Sequence, residues 1–225
     1  EIEAGVDINS KNNCDFPVFS SPDKININTD MIIDFSHPSM LEPLLNYCTE
    51  TCTPAVICTT GFSDAQVDQI KKASEIVPIF YSRNMSLGVN LLLELACEAT
   101  KFLGSGFNIE IIEKHHNQKI DAPSGTALMI AEEISEYTSE KPDYVYDRTK
   151  VRKPRGNNEI GIHCVRGGNI CGDHEIIFAG KDETITLSHH ASSRDIFANG
   201  ALRAALFLIS RKPGLYTMKN MIGNM

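Results

Sequence analysis

No stretch of this 225-residue sequence stays apolar for the roughly 20 residues that a membrane-spanning helix needs, and no basic-then-apolar leader opens it. A cytoplasmic protein without a membrane partner is expected. There is no surplus of positive charge either: 21 Lys and Arg stand against 29 Asp and Glu, a net charge of −8. That field repels nucleic acid and anionic membrane surfaces over most of the exterior, so an anionic ligand would need a locally basic pocket. The cysteines (Cys14, Cys48, Cys52, Cys58, Cys97, Cys164 and Cys171) are odd in number and lack zinc-ribbon spacing, which reads as free thiols. Cys48 and Cys52 lie four apart on one expected helix and could approach a metal, but no second pair stands nearby. Internal repeats and low-complexity tracts are absent. At 42% hydrophobic and 22% charged residues, the composition is that of a folded globular chain.

What is present is alternation. A short apolar run at 2–7 reads as the end of a strand, followed by a polar stretch without periodicity. Residues 31–36 read as a buried strand, and 39–51 as a helix with Met40, Leu41, Leu44, Leu45 and Cys48 at helical spacing. A strand at 55–58, a helix at 64–74 capped by Ser63 or Asp64, and a strand at 77–81 follow. Parallel neighbours need a crossover and helices supply it, so this pattern implies a mostly parallel sheet. Ligands of such sheets sit at the carboxyl ends of the strands. Those ends are Asp7, Asp34-Phe35-Ser36, Thr59-Thr60-Gly61 and Ser82-Arg83-Asn84, although polar turns are also what any strand end carries.

After an apolar helix at 89–102 the style changes. Strand patterns at 107–113, 159–165, 175–179 and 183–189 surround one helix at 125–137, which implies a mixed or antiparallel sheet. A final apolar helix at 197–210 is long enough to return to the first domain. The expected fold class is α/β: a Rossmann-like parallel-sheet domain at 1–88, completed by 195–225, and an α+β domain with a mixed open sheet at 89–194.

The most informative block is Glu113-Lys114-His115-His116-Asn117-Gln118-Lys119-Ile120-Asp121-Ala122-Pro123-Ser124-Gly125-Thr126, between a strand and a helix. His115, His116 and Lys119 place up to three positive charges within five residues of an otherwise acidic protein. Ser124-Gly125-Thr126 then opens a helix whose free N–H groups and positive dipole end can hold a carboxylate or phosphate. Glycine lets an anion come close to the backbone, and histidine can exchange a proton near neutral pH. Two plainer readings stand beside this one: an ordinary helix cap with a solvated basic loop, or part of a metal site with His163, His174, His189 or His190.

The block resembles the signature of the dihydrodipicolinate reductases, enzymes of the lysine pathway. Similar stretches extend along the chain: Asp34-Phe35-Ser36, Thr59-Thr60-Gly61, residues 84–90, Arg166-Gly167-Gly168 with Gly172 and His174, and residues 194–200. The resemblance implies hydride transfer from NADH or NADPH to a cyclic unsaturated dicarboxylate. It also makes 1–88 a dinucleotide-binding domain and 89–194 a domain for substrate and for assembly into a homotetramer. By analogy His115 would protonate the ring. Lys119 and His116 would bind a carboxylate and polarise the developing charge, and Ser124, Gly125 and Thr126 would hold the second carboxylate. Cofactor contacts would fall on Asp7, Thr59, Thr60, Gly61, Arg83, Met85 and Phe197, with no metal.

Family members begin with a strand and a glycine-rich turn into a helix, where the pyrophosphate binds; no such segment precedes Asp7 in this sequence. The expectation is a partly recorded chain. If it were complete, nucleotide affinity would suffer, and a non-catalytic anion-binding homologue becomes the rival; another nicotinamide-dependent reductase, such as an aspartate or homoserine dehydrogenase, is the third reading. Asp7 would accept from a ribose 2′-hydroxyl and repel a 2′-phosphate, which favours NADH, Lys11 being the nearest cation to offset it.

Overall fold

The structure is a computed structural model and describes residues 1–9, 14–149 and 151–223. Lys11 lies outside the described residues. In chain order the elements are β1 (Gly5–Val6), β2 (Val18–Phe19), β3 (Ile32–Asp34), α1 (Leu41–Thr51), β4 (Ala55–Ile57), α2 (Asp64–Ser74), β5 (Pro78–Tyr81) and α3 (Leu87–Leu103). There follow β6 (Asn108–His115), α4 (Gly125–Ser135), β7 (Asp143–Val145), β8 (Glu159–Arg166), β9 (Gly172–Ala179) and β10 (Thr184–Ala191). The chain ends with α5 (Asp195–Leu208), β11 (Gly214–Tyr216) and α6 (Met218–Ile222). It forms two compact units: unit 1 is Glu1–Met85 with Phe197–Met225, and unit 2 is Ser86–Ile196.

Unit 1 is built on a parallel four-stranded sheet of order β11-β5-β4-β3. α1 turns Leu41, Leu44, Leu45 and Cys48 inward, the i, i+3, i+4, i+7 face of a helix, onto Ala55 and Ile57 of β4, Ile79 of β5 and Ile70 of α2. Ser63 and Gln66 close a reciprocal capping box at the start of α2. The carboxyl ends of β3 and β4 are locked together by the Thr59 hydroxyl donating to Asp34 Oδ2 at 2.8 Å and the Cys58 amide to the Asp34 carbonyl at 2.8 Å. At Gly200 in α5 a Cβ would stand 1.7 Å from the Met85 carbonyl oxygen, so only glycine admits this approach. The opening run is strand only over Gly5–Val6, and it pairs with β2 in a two-stranded ribbon apart from the larger sheet.

Unit 2 is a five-stranded sheet of order β10-β9-β6-β8-β7. β6 runs parallel to β8 and antiparallel to β9, so the sheet is mixed. Alternation along β6 sends Ile109, Ile111, Glu113 and His115 to the face covered by α3 and α4, where Leu92, Ala96, Ile130 and Ile134 complete the core. The opposite face, with Glu110, Ile112 and Lys114, carries no helix among the described residues. β6 continues two residues past the expected end at 113. His115 is therefore the buried last residue of a central strand, not part of the segment between strand and helix where the sequence pattern placed it.

Candidate active site

The site is organised around a carboxylate. Strand parity turns Glu113 into the core of unit 2, where it is wholly inaccessible to solvent. Arg166, at the end of β8, forks onto it: Nη1 donates to Oε2 at 2.8 Å and Nη2 to Oε1 at 2.7 Å. Such a bidentate pair is the arrangement that makes a buried ion tolerable. The remaining acceptor capacity goes to the His115 Nδ1, 2.6 Å from Oε2, and to the Ser124 backbone N–H, which donates to Oε1 at 3.1 Å. Burial alone would raise this carboxyl, but hydrogen bonds from Arg166, His115 and Cys164 outweigh it and hold it at about 2. It is an anion at any physiological pH.

Ser124 starts α4 by accepting the Ala127 N–H on its hydroxyl at 3.2 Å. That hydroxyl also lies 3.3 Å from His174 Nε2. Ser124 is buried, and both its N–H and its hydroxyl are committed inside the protein; Gly125 and Thr126 are the more accessible part of the helix start. The loop from β6 to α4 also carries His116, half-buried, whose carbonyl accepts the Lys119 N–H at 3.2 Å. The Lys119 ammonium sits 2.8 Å from Asp121 Oδ1. That ammonium holds the Asp121 carboxyl below its ordinary range, and the amides of Asp121 itself and of Gly125 add to the effect. An internal carboxylate thus rests between the lysine and the helix start. The β8–β9 turn braces the loop, with the Gly167 N–H donating to the His115 carbonyl at 2.9 Å and the Asn117 N–H to the Gly168 carbonyl at 3.2 Å.

His174 of β9 is cross-strand from Glu113, and its ring meets that of His115 edge-on at 5.3 Å. Burial, with His115 nearby, pushes His174 down to about 4, so it is neutral at physiological pH. Glu113, Arg166 and His174 were not assigned roles from the sequence. The available signal was parity, since a glutamate on the same face as Ile109 and Ile111 must be buried and needs partners. The four histidines named with the metal reading part ways: His163 Nε2 turns to Glu110 at 2.7 Å on the open face and His190 pairs with Asp173 at 3.2 Å, and among the described residues no three or more His, Cys, Asp or Glu side chains form a cluster arranged for a metal ion.

In unit 1 the expected cofactor residues are spread along the strand ends. Asp7 and Asp34-Phe35-Ser36 line one cleft of about 680 Å³ together with Gly5 and Ile8; Thr59, Thr60, Gly61, Arg83, Met85 and Phe197 do not line it. Thr59 is buried through its bond to Asp34 and Met85 is buried beneath Gly200, whereas Phe197 is half-buried on α5. Thr60, Gly61 and Arg83 are exposed, and Gly61 adopts φ +83° with open space where a side chain would be. Carboxyl ends of parallel strands with an open glycine turn and a nearby cation suit a nucleotide, so these residues fit the group.

One unit on a parallel sheet and one on a mixed sheet, the latter with a histidine, a lysine and a helix start around one loop, are the parts of a two-unit α/β reductase that takes a nicotinamide nucleotide. The chain belongs to the dihydrodipicolinate reductase family: residues 2–85 match the model described as "Dihydrodipicolinate reductase, N-terminus" and residues 88–222 the one described as "Dihydrodipicolinate reductase, C-terminus". It is 51% identical to a 4-hydroxy-tetrahydrodipicolinate reductase of Caldanaerobacter subterraneus subsp. tengcongensis, over 99% of this chain and 88% of that protein. It is 48% identical to one of Clostridium tetani, over 100% of this chain and 88% of the relative. Among solved structures it is similar to a dipicolinate-bound dihydrodipicolinate reductase from Paenisporosarcina sp. TG-14, with a TM-score of 0.75 at 27% identity, covering 92% of this chain and 79% of that one.

Proposed function

We propose that this chain is a 4-hydroxy-tetrahydrodipicolinate reductase, reducing a cyclic unsaturated dicarboxylate in the diaminopimelate route to lysine. The observation that supports this reading is the β6–α4 loop, where Glu113 ties the His115 ring to the Ser124 amide and Asp121 ties the Lys119 ammonium to the start of α4. A dianion needs two anchors. Lys119 with His116 is the first, and the amide end of α4 at Gly125 and Thr126 is the second. Ser124 shapes that turn from inside, because its own polar groups are engaged there. His115 delivers the proton to the ring, and Lys119 offsets the charge that develops there.

Unit 1 is the nucleotide-binding part, with Asp7, Thr59, Thr60, Gly61, Arg83, Met85 and Phe197 as its contact residues. The bound nicotinamide nucleotide supplies the hydride. NADH is favoured because the Asp7 carboxylate accepts from a ribose 2′-hydroxyl and repels a 2′-phosphate. Unit 2 binds substrate and assembles the homotetramer through the sheet face left bare by α3 and α4, where Val165 is 43% exposed. The enzyme is cytoplasmic in this reading; among the described residues no helix is long and apolar enough to cross a membrane.

The test follows nucleotide oxidation by the purified chain with the dicarboxylate supplied as substrate. Turnover with NADH above that with NADPH is expected. Nucleotide binding without oxidation of either cofactor would overturn the catalytic reading in favour of a binding homologue.

A further inference from the structure

We propose that Glu113 is a positioning residue: its carboxylate fixes His115 in the Nδ1–H tautomer and ties the ring to the first turn of α4 through the Ser124 amide. The inference rests on the reading of His115 as the proton donor and deepens it. An ionised carboxylate has lone pairs and no proton to give, so across the 2.6 Å contact the hydrogen belongs to Nδ1. The other ring nitrogen, Nε2, is thereby left as the atom that exchanges a proton. A Cβ placed on Gly172 would come within 3.1 Å of Nε2, so a glycine leaves room at that nitrogen.

The same carboxylate reaches the anion anchor. Its Oε1 accepts from the Ser124 N–H while Ser124 caps α4, so one buried group sets the ring and the helix start relative to each other. Arg166 fills both carboxylate oxygens from the other side and also donates to the Asp121 carbonyl at 2.6 Å, which leaves the carboxylate no freedom to turn away. A purely structural ion pair needs only Arg166. The contacts to His115 and Ser124 are what a positioning role adds, and they are what the experiment reads.

The decisive measurement is the nitrogen-15 spectrum of the histidine rings in the full-length chain in mildly alkaline buffer, with His115 assigned by its loss in His115→Gln. The parent is expected to show the Nδ1–H form of His115; an Nε2–H form overturns the proposal without any further variant. In Glu113→Gln the amide can donate to Nδ1, so the Nε2–H form is expected to appear. There kcat should fall on the order of 10²–10³-fold, with KM for the dicarboxylate within about threefold. Glu113→Asp keeps an acceptor and should retain the Nδ1–H form with a smaller loss, and it replaces the glutamine variant if that one does not fold. An unchanged tautomer and kcat in Glu113→Gln, or an undiminished kcat in Glu113→Asp, would overturn the inference. Because the tautomer is read without turnover, a parent that shows Nδ1–H but no reduction would defeat the proposed activity and leave the ring geometry standing.

Discussion

The two units prepare for their ligands in opposite ways. In unit 2 the polar groups of the site are buried and tied to one another: Glu113, Ser124, His115 and His174 are each at least 91% inaccessible. In unit 1 the residues expected around a nucleotide are mostly exposed turn positions, Asp7, Thr60, Gly61 and Arg83, with the buried Thr59–Asp34 bond as their support. The difference follows the tasks proposed for them. Proton transfer demands a group held within a fraction of an ångström, which a packed and hydrogen-bonded setting provides. A long, flexible nucleotide is gripped by many weaker contacts along a rim.

If that contrast is right, changes in unit 2 should split cleanly into loss of chemistry and loss of fold. Lys119→Ala removes a half-accessible ammonium that no buried group depends on. Turnover is expected to drop on the order of 10²–10³-fold with the melting temperature little changed. Near-normal turnover would break the comparison. His115→Gln should lower both, since the ring is packed against Glu113 and His174.

Acid stability sharpens the same point. His174 is depressed to about 4, whereas the unfolded chain takes up that proton near the ordinary histidine value. The unfolded state therefore binds more protons below about pH 6.5, and stability falls from there down to about pH 4, by up to roughly 3 kcal/mol. Glu113, held at about 2, adds a second loss at lower pH, below the ordinary carboxylate range. Urea titrations across this range should show the first decline, and His174→Gln should flatten it.

Smaller effects test the rim. Thr59→Val deletes the hydroxyl that satisfies Asp34, so stability should fall by about 1–2 kcal/mol, with nucleotide affinity following. The smallest expected effect is at Asp121. With Lys119 as the proposed carboxylate anchor, the Asp121 carboxylate would compete for it, so Asp121→Asn should lower KM for the dicarboxylate about two- to fivefold in steady-state kinetics. A raised KM would show that Asp121 orders the loop instead.

Local periodicity made much of this legible. The bounds of α2 read from the pattern are those of the structure, and the strand–helix alternation of residues 31–81 is realised as a parallel sheet. The three-residue strands β7 and β11 and the two-residue β2 were not visible, because so short a run has no period and is defined by its neighbour. Within the site, the His–Lys loop and the helix start stood out in one contiguous block. Arg166 and His174 did not, since they lie 53 and 61 residues from Glu113 and meet it only when β8 and β9 flank β6. Ser124 shows the converse: the motif pointed to a ligand contact, while the fold spends its polar groups on the cap and on Glu113.

The placement of β11 beside β5 has a consequence for biogenesis. Ser86–Ile196 is one uninterrupted segment and can collapse as it leaves the ribosome, but the other unit lacks its outer strand until Gly214–Tyr216, which follow that segment, are made. The nascent chain thus completes the mixed-sheet unit first and carries an open flank on the parallel sheet until β11 emerges.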